Sequence, residues 1–309
     1  MWTRREFGKL ALAGAAGSVC TWAVTGRPYS SIVSGAERPN SLIDGVRIGT
    51  ITYSYRSMPD QSAEATLRYI VDSGINAIEL MNGPAEGYAG APLSRGEAAQ
   101  LKKWRLSVSM DKYKALRKMY NDAGVKIYAW KCLNPNMSDE EFEYVFNVAE
   151  ALGCTHTTLE LIDDMAQLKR IGGFAEKHKV YAAYHTHVQG SMTVFDKAFA
   201  ASKANMANVD FGHYVAGGNM GGSTVQFLQK FHDRIASFHM KDRTTPEHGA
   251  KNLPWGTGDT PLKEILQMVK KNKWTMPATI ELEYDVPAGS DAVKEVAKCL
   301  QYCKAALNS

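Results

Sequence analysis

The sequence is poor in cysteine, has no dinucleotide-binding glycine motif and carries little net charge, and each absence excludes a class of protein. Only 5 of the 309 residues are cysteine, and no CxxC pair occurs, which argues against a disulfide scaffold or a thiolate zinc site. No glycine fingerprint follows the first predicted strand, so dinucleotide binding has no support. The formal net charge of +4 gives no indication of a nucleic-acid partner.

The first 36 residues differ from the rest of the chain. They contain four basic residues and one acidic residue, and the twin arginines Arg4 and Arg5 precede an apolar, Ala- and Gly-rich run from Leu10 to Val24. This order predicts a twin-arginine-type export signal, with a membrane anchor or a buried helix as the alternative. We therefore predict a signal peptide over 1–36, a linker over 37–45, a catalytic domain over 46–309, and an exported, periplasmic protein that uses the export machinery.

Apolar, β-branched runs alternate with helical patterns from residue 46 to the C-terminus, which predicts parallel strands joined by helices. Hydrophobic residues make up 45% and charged residues 22% of the chain, as expected for a folded enzyme. The candidate strands are Ile48–Tyr53, Ala77–Met81, Lys126–Trp130, Thr155–Leu161, Val180–His185, Asn208–Phe211, Ile235–His239 and Ala278–Leu282.

Helix signals lie between these strands, for example the capping-box spacing of Ser138 and Glu141 and the terminating Gly74. The longest predicted loop runs from Asn82 to about Arg105. Strand–helix units over roughly 265 residues match the size of a single α/β (β/α)₈ TIM barrel. A doubly wound sheet would need fewer strands or a second domain.

Polar residues lie at the C-terminal ends of the later predicted strands. In a parallel barrel, this is the face where active sites lie. Each one alone has a structural explanation, such as capping the following helix. Charges within apolar strands are costly to bury, however, and a cation compensates them. Two or three carboxylates with one imidazole make a mainly oxygen site, which suits manganese, magnesium or cobalt better than thiolate-seeking zinc. The residues are Glu160, His185, His187, Asp210, His213, His239, Lys241, Asp242, Arg243, Glu281 and Glu283.

From about Arg47 onward, the chain resembles the xylose-isomerase-like barrels of the sugar phosphate isomerase/epimerase group. The motifs that carry the resemblance are Glu160, Tyr184-His185-Thr186-His187, Asp210-Phe211-Gly212-His213, His239-Met240-Lys241-Asp242-Arg243, Pro254-Trp255-Gly256-Thr257-Gly258 and Ile280-Glu281-Leu282-Glu283.

The resemblance implies one divalent metal ion, manganese first, with magnesium, cobalt or zinc as alternatives. Its implied ligands are Glu160, Asp210, His239 and Glu281, and the two glutamates also serve as acid and base. Glu283 remains a rival to Glu281, because residues two apart in a strand share one face.

The resemblance also places substrate oxygens near His213 and Arg243. Three further residues are candidates for substrate contact, and two of them have structural alternatives. His187 could support another side chain, and Lys241 could pair with Asp242 at the rim. Glu79, near the end of the second predicted strand, could line the pocket.

The implied reaction is proton removal beside a sugar carbonyl, giving isomerisation or epimerisation through a metal-stabilised enediolate. Export and the lack of a phosphate loop favour an unphosphorylated sugar. The close alternative is a 3-keto-sugar lyase or hydratase that uses the same site. A periplasmic sugar-binding protein without turnover is a more distant alternative, and the similar barrels that cut DNA at abasic sites are disfavoured by the charge. The particular sugar and the oligomeric state stay open.

Overall fold

The computed structural model describes residues 38–92 and 98–309. The predicted export signal over residues 1–36 lies outside the described residues. The described residues belong to one compact unit. Among the described helices, none combines the length and apolar character that crossing a membrane requires.

Within the described residues, eight parallel strands close into a barrel. The order around the barrel is β2-β3-β4-β5-β6-β7-β8-β11, and β11 pairs with β2 to complete the ring. The predicted TIM barrel is therefore confirmed. The strands are β1 Leu42–Ile43, β2 Val46–Ile51, β3 Ala77–Met81, β4 Lys126–Lys131, β5 His156–Glu160, β6 Tyr181–His185, β7 Asn205–Asp210, β8 Ile235–Met240, β9 Asp242–Arg243, β10 Asn252–Leu253 and β11 Ala278–Ile280.

Helices surround the barrel, and several of them begin at a side-chain cap. Ser138 and Glu141 form the predicted capping box at the start of α5, and Gly74 takes a left-handed φ of 79° after α1. The helices are α1 Ala63–Asp72, α2 Asn82–Ala89, α3 Ala98–Arg105, α4 Met110–Asp122, α5 Asp139–Leu152, α6 Met165–His178, α7 Asp196–Ala201, α8 Phe211–Ala216, α9 Thr224–Phe231, α10 Leu262–Asn272 and α11 Ala292–Asn308.

Several segments differ from the sequence predictions. The predicted linker contains β1, which pairs antiparallel with β2, and its Ser41 is fully buried. The segment 82–105, predicted as a loop, contains α2 and α3. Strand β7 begins before the predicted start at Asn208, because Asn205 already pairs with Ala182 of β6, and its buried side-chain amide also donates to the carbonyls of Leu168 and Ala198. The predicted last residue of this strand, Phe211, is instead the first residue of α8.

The strand ends determine which side chains meet at the mouth of the barrel. Glu160, His185 and Asp210 are the last residues of β5, β6 and β7. His239 is the register partner of Asp210 in β8, and Glu281 follows β11 directly. The topology therefore places these five residues around the same end of one barrel.

Candidate metal centre

Four buried side chains converge at the C-terminal mouth of the barrel: His185, Asp210, His239 and Glu281. Each offers one ligand atom, and these atoms all lie within 4.8 Å of one another. The four residues are at most 7% exposed. Two imidazoles and two carboxylates are a donor set that binds first-row divalent metal ions. We call these four residues the buried ligand group.

His239 is held on both sides by carboxylates. Its Nε2 lies 2.9 Å from Glu79 Oε2, and its Nδ1 lies 2.7 Å from Glu281 Oε2. Burial alone would lower the pKa of His239, but the two carboxylates outweigh burial and raise it to about 10. His239 therefore carries a proton on both nitrogens at neutral pH and must release the one on Nδ1 to bind a metal ion. A carboxylate behind an imidazole keeps the remaining proton on the nearer nitrogen. Glu79 thus directs Nδ1 of His239 toward the buried ligand group.

The position of Glu79 corrects its predicted role as a pocket-lining substrate contact. The side chain is fully buried and accepts a 2.6 Å hydrogen bond from the Thr158 hydroxyl. Burial alone would raise the pKa of Glu79, but His239 outweighs burial and lowers it to about 2. Glu79 lies in the middle of β3 rather than at its end, so it faces the barrel interior beneath the mouth.

Asp210 presents an oxygen that has no hydrogen bond. Its Oδ1 accepts a 2.7 Å hydrogen bond from the backbone N–H of His213. Its Oδ2 is buried without a hydrogen-bond partner among the described residues, although the Lys241 ammonium is an ion-pair neighbour at 3.1 Å. An unsatisfied buried carboxylate oxygen beside two imidazoles fits a metal-binding role.

His185 enters the buried ligand group in a defined tautomer. The Asn208 amide nitrogen donates to Ser237 at 2.7 Å, so its oxygen faces His185 Nδ1 at 2.8 Å and accepts the proton there. This leaves Nε2 with a free lone pair. Burial, followed by the nearby His239, lowers the pKa of His185 to about 4, so the ring is neutral near pH 7 and able to bind a metal ion.

The structure does not place Glu160 in the buried ligand group, where the sequence predicted it. Its side chain is 51% exposed and forms a 2.7 Å ion pair with Lys131. Glu160 instead forms a second, more open group with His185 and His187. The free Nε2 of His185 can bind one ion only, so the two groups are alternatives for that nitrogen. The four-residue set that meets below the mouth contains His185 in place of Glu160.

Lys241 points into the site rather than along the rim. The residue is 3% exposed, and its ammonium nitrogen lies 3.1 Å from Asp210 Oδ2 and 3.1 Å from Glu281 Oε2. The Glu283 Oε2 atom lies 2.7 Å from the same nitrogen. Glu281 and Glu283 therefore do face the same way, and of the two only Glu281 belongs to the buried ligand group.

Asp242 binds backbone amides instead of forming the predicted ion pair with Lys241. Its Oδ2 accepts backbone N–H hydrogen bonds from Gly256, Thr257 and Gly258 at 2.7, 3.0 and 2.9 Å. The alternative of a Lys241–Asp242 pair at the rim is therefore wrong. The carboxylate holds the loop that follows β10 against the barrel.

Three predicted substrate contacts line the rim above the buried ligand group. Arg243 donates to Nδ1 of His213 at 2.5 Å and to the carbonyl of Ala250 at 2.6 Å. The ring of His187 lies 4.8 Å from that of His213, and the His187 side chain is 51% exposed. His187 and Glu160 are thus the predicted residues most open to an incoming molecule.

A family model described as a xylose isomerase-like TIM barrel matches residues 67–303. Among curated proteins, there is no significant match.

Several solved structures share the fold at low sequence identity. A probable 3-DHS dehydratase, AsbF of Bacillus anthracis, is 13% identical with a TM-score of 0.61, over 83% of this chain and 98% of that chain. A sugar phosphate isomerase/epimerase of Parabacteroides distasonis is 17% identical with a TM-score of 0.62, over 84% and 96%. The IOLI protein, solved with a bound zinc atom, is 15% identical with a TM-score of 0.59, over 85% and 98%. At these identities, the likeness shows the fold alone.

Proposed function

The chain belongs to the xylose isomerase-like TIM barrel family, and on that premise we propose that it is a divalent-metal-dependent enzyme that isomerises or epimerises an unphosphorylated sugar. The reaction would begin with removal of a proton from the carbon beside a carbonyl group. The observation that carries the proposal is the buried ligand group at the end of the barrel where catalytic residues are found.

The residues present fit a divalent metal ion. His185, Asp210, His239 and Glu281 would hold it, since each has a donor atom directed to one place and Asp210 has a carboxylate oxygen without a hydrogen bond. A bound ion would polarise the substrate carbonyl and stabilise negative charge on its oxygen. Manganese remains a candidate, and the two imidazoles make zinc and cobalt better candidates than magnesium. The zinc atom in the IOLI structure supports testing zinc as well.

Glu281 and Glu160 are the proposed acid and base. Burial alone would raise the pKa of Glu281, but His239 and Lys241 outweigh burial and hold it well below its usual range. In the same way, Lys131 outweighs burial and lowers the pKa of Glu160. Both carboxyl groups are therefore ready to accept a proton at neutral pH. Glu160 stands at the open mouth and Glu281 in the buried ligand group.

One observation favours a 3-keto-sugar lyase or hydratase as the second candidate. The Lys241 ammonium lies between Glu281 and Glu283, at 3.1 and 2.7 Å. Elimination needs a proton acceptor and, close by, a donor for the departing hydroxyl or alkoxide. The Glu281–Lys241–Glu283 arrangement offers both. The shared fold with a probable 3-DHS dehydratase is consistent with this candidate.

The cations near the mouth support an unphosphorylated substrate. Lys131 is paired with Glu160, Lys241 with three carboxylates, and Arg243 with His213 and a backbone carbonyl. Because all three cations are already paired, none of them is available to bind a phosphate group. We further propose that residues 1–36 export the enzyme, so that it would meet free or glycosidic sugars; the twin arginines before the apolar run support this step.

The experiment combines metal analysis with deuterium exchange into free ketoses and 3-keto sugars. We expect about one divalent ion per chain in the wild type, its loss in Asp210→Asn, and exchange that fails in Glu281→Gln and Glu160→Gln. Glu295→Gln, which changes a buried glutamate on α11 outside the site, is the matched control. A folded protein that holds no metal and exchanges no proton across the panel would instead be a sugar-binding protein.

A further inference from the structure

The buried ligand group already contains a counter-cation supplied by the chain. Lys241 is 3% exposed, and its ammonium lies 3.1 Å from a carboxylate oxygen of Asp210 and 3.1 Å from one of Glu281. These two carboxylates are the oxygen donors that a metal ion would use. Buried carboxylates need such compensation whenever no metal is bound.

An ammonium and a metal ion cannot share these carboxylates without cost. Metal–oxygen bonds are about 2.0–2.2 Å long, so an ion bound to Asp210 and Glu281 would lie at most about 5 Å from the present position of the ammonium. Like charges at this separation repel strongly where water is excluded. Metal binding must therefore overcome that repulsion or move the lysine.

The surroundings of Lys241 provide one alternative partner. Its ammonium lies 2.7 Å from Glu283 Oε2, on the more open side of the site, where the Glu283 side chain is 23% exposed. His213 is also near, at 2.8 Å. Arg243, however, already donates to Nδ1 of that ring, and a neutral imidazole accepts a hydrogen bond at one nitrogen only. Glu283 is the acceptor that remains for the lysine.

We propose that Lys241 is a built-in competitor for the metal site, which neutralises Asp210 and Glu281 in the metal-free protein and is displaced toward Glu283 when a divalent ion binds. The inference rests on the proposed metal-dependent function. It assigns Lys241 a positioning role that sets metal affinity, and it assigns Glu283 the task of receiving the displaced charge.

The proposal predicts opposite effects for two neighbouring substitutions. Lys241→Met removes the competitor, so Mn²⁺ or Zn²⁺ should bind at least about tenfold more tightly. Glu283→Gln removes the receiving carboxylate, so the same ions should bind several-fold more weakly. Lys241→Arg keeps a positive charge and should bind no more tightly than the wild type. Lys270→Met is the matched control, because Lys270 on α10 pairs with Asp44 and has no contact with the buried ligand group.

The experiment titrates the metal-free full chain with Mn²⁺ and with Zn²⁺ by calorimetry, and follows free Mn²⁺ by electron paramagnetic resonance. Circular dichroism and the Tm of each metal-free variant accompany the titrations. We expect Lys241→Met to lower the metal-free Tm, because its carboxylate neighbours lose their counter-charge, and we expect Mn²⁺ to restore it. Lys270→Met should show neither change.

The outcomes separate this inference from the proposed function. If folded Lys241→Met binds metal with wild-type or weaker affinity, Lys241 is no competitor and the inference is overturned while the metal site stands. If neither the wild type nor Lys241→Met binds Mn²⁺ or Zn²⁺, the proposed metal-dependent function itself fails. Should Lys241→Met not fold, the Glu283→Gln titration decides: wild-type affinity there overturns the inference, and weaker binding supports it.

Discussion

Replacing Glu79 by glutamine tests whether this buried residue acts through His239. The substitution keeps the shape of the side chain and removes its charge. In the wild type, the Glu79 carboxylate lies 2.9 Å from Nε2 of His239 and is fully buried. We expect metal binding to weaken, because an imidazole backed by a neutral amide is a poorer donor than one backed by a carboxylate.

The size of the effect follows from the charge that Glu79 helps His239 to carry. The rise of the His239 pKa from 6.5 to about 10 corresponds to about 5 kcal/mol of preference for the charged ring. Glu79 and Glu281 both contribute to this preference. Loss of the Glu79 charge should therefore weaken binding of a metal ion on Nδ1 of His239 by roughly 10–100-fold, the range typical of such supporting carboxylates.

The assay is calorimetric titration of metal-free protein with Zn²⁺ and Mn²⁺. The matched control is Glu295→Gln, because Glu295 is also buried but bonds to Tyr284 beside α11. The control should bind metal like the wild type. Unchanged affinity in a folded Glu79→Gln protein would refute the reasoning, since it would mean that the carboxylate behind His239 does not influence the metal-binding nitrogen.

Two further predictions concern stability outside the buried ligand group. Burial lowers the pKa of His156 from 6.5 to about 4 in the folded protein. As pH drops from 6.5 to 4, the unfolded chain therefore protonates His156 before the folded protein does, and the free energy of unfolding should fall by about 3 kcal/mol. Urea denaturation at pH 7.0 and 4.5 should show that the free energy of unfolding depends less on pH in His156→Gln than in the wild type. An equal pH dependence in the two proteins would contradict the assignment. Asp242→Asn should lower the free energy of unfolding by about 2–3 kcal/mol and speed hydrogen exchange of the backbone amides of residues 256–258. Unchanged protection of these amides would show that the carboxylate is not needed to hold the loop.

The barrel was predictable because its signals are local. A strand is marked by a short apolar, β-branched run, and a helix by its period and its caps. Ser138 and Glu141 illustrate this, since three residues of separation suffice to define a capping box. The strand boundaries depend on contacts with other elements and were less accessible to local signals. The early start of β7 shows this, because Asn205 pairs with β6 and its side chain bonds to two helices.

The site was only partly predictable. The structure brings Asp210, His239 and Glu281 together, and these three were among the residues predicted to bind metal. Glu160 and His185 are register partners at the ends of adjacent strands, so position along the sequence does not distinguish them. The structure distinguishes them by their partners: Lys131 holds Glu160 at the open mouth, and Asn208 holds His185 inside.

The sequence by itself determined the barrel and the end of it where the polar residues gather, because strand period and strand ends are encoded within a few neighbouring residues. Only the tertiary structure decided which polar residues meet. Glu79 and His239 are 160 residues apart in the chain and 2.9 Å apart in the barrel. Closure of the sheet brings β3 and β8 to face each other across the interior, and no local pattern records that distance.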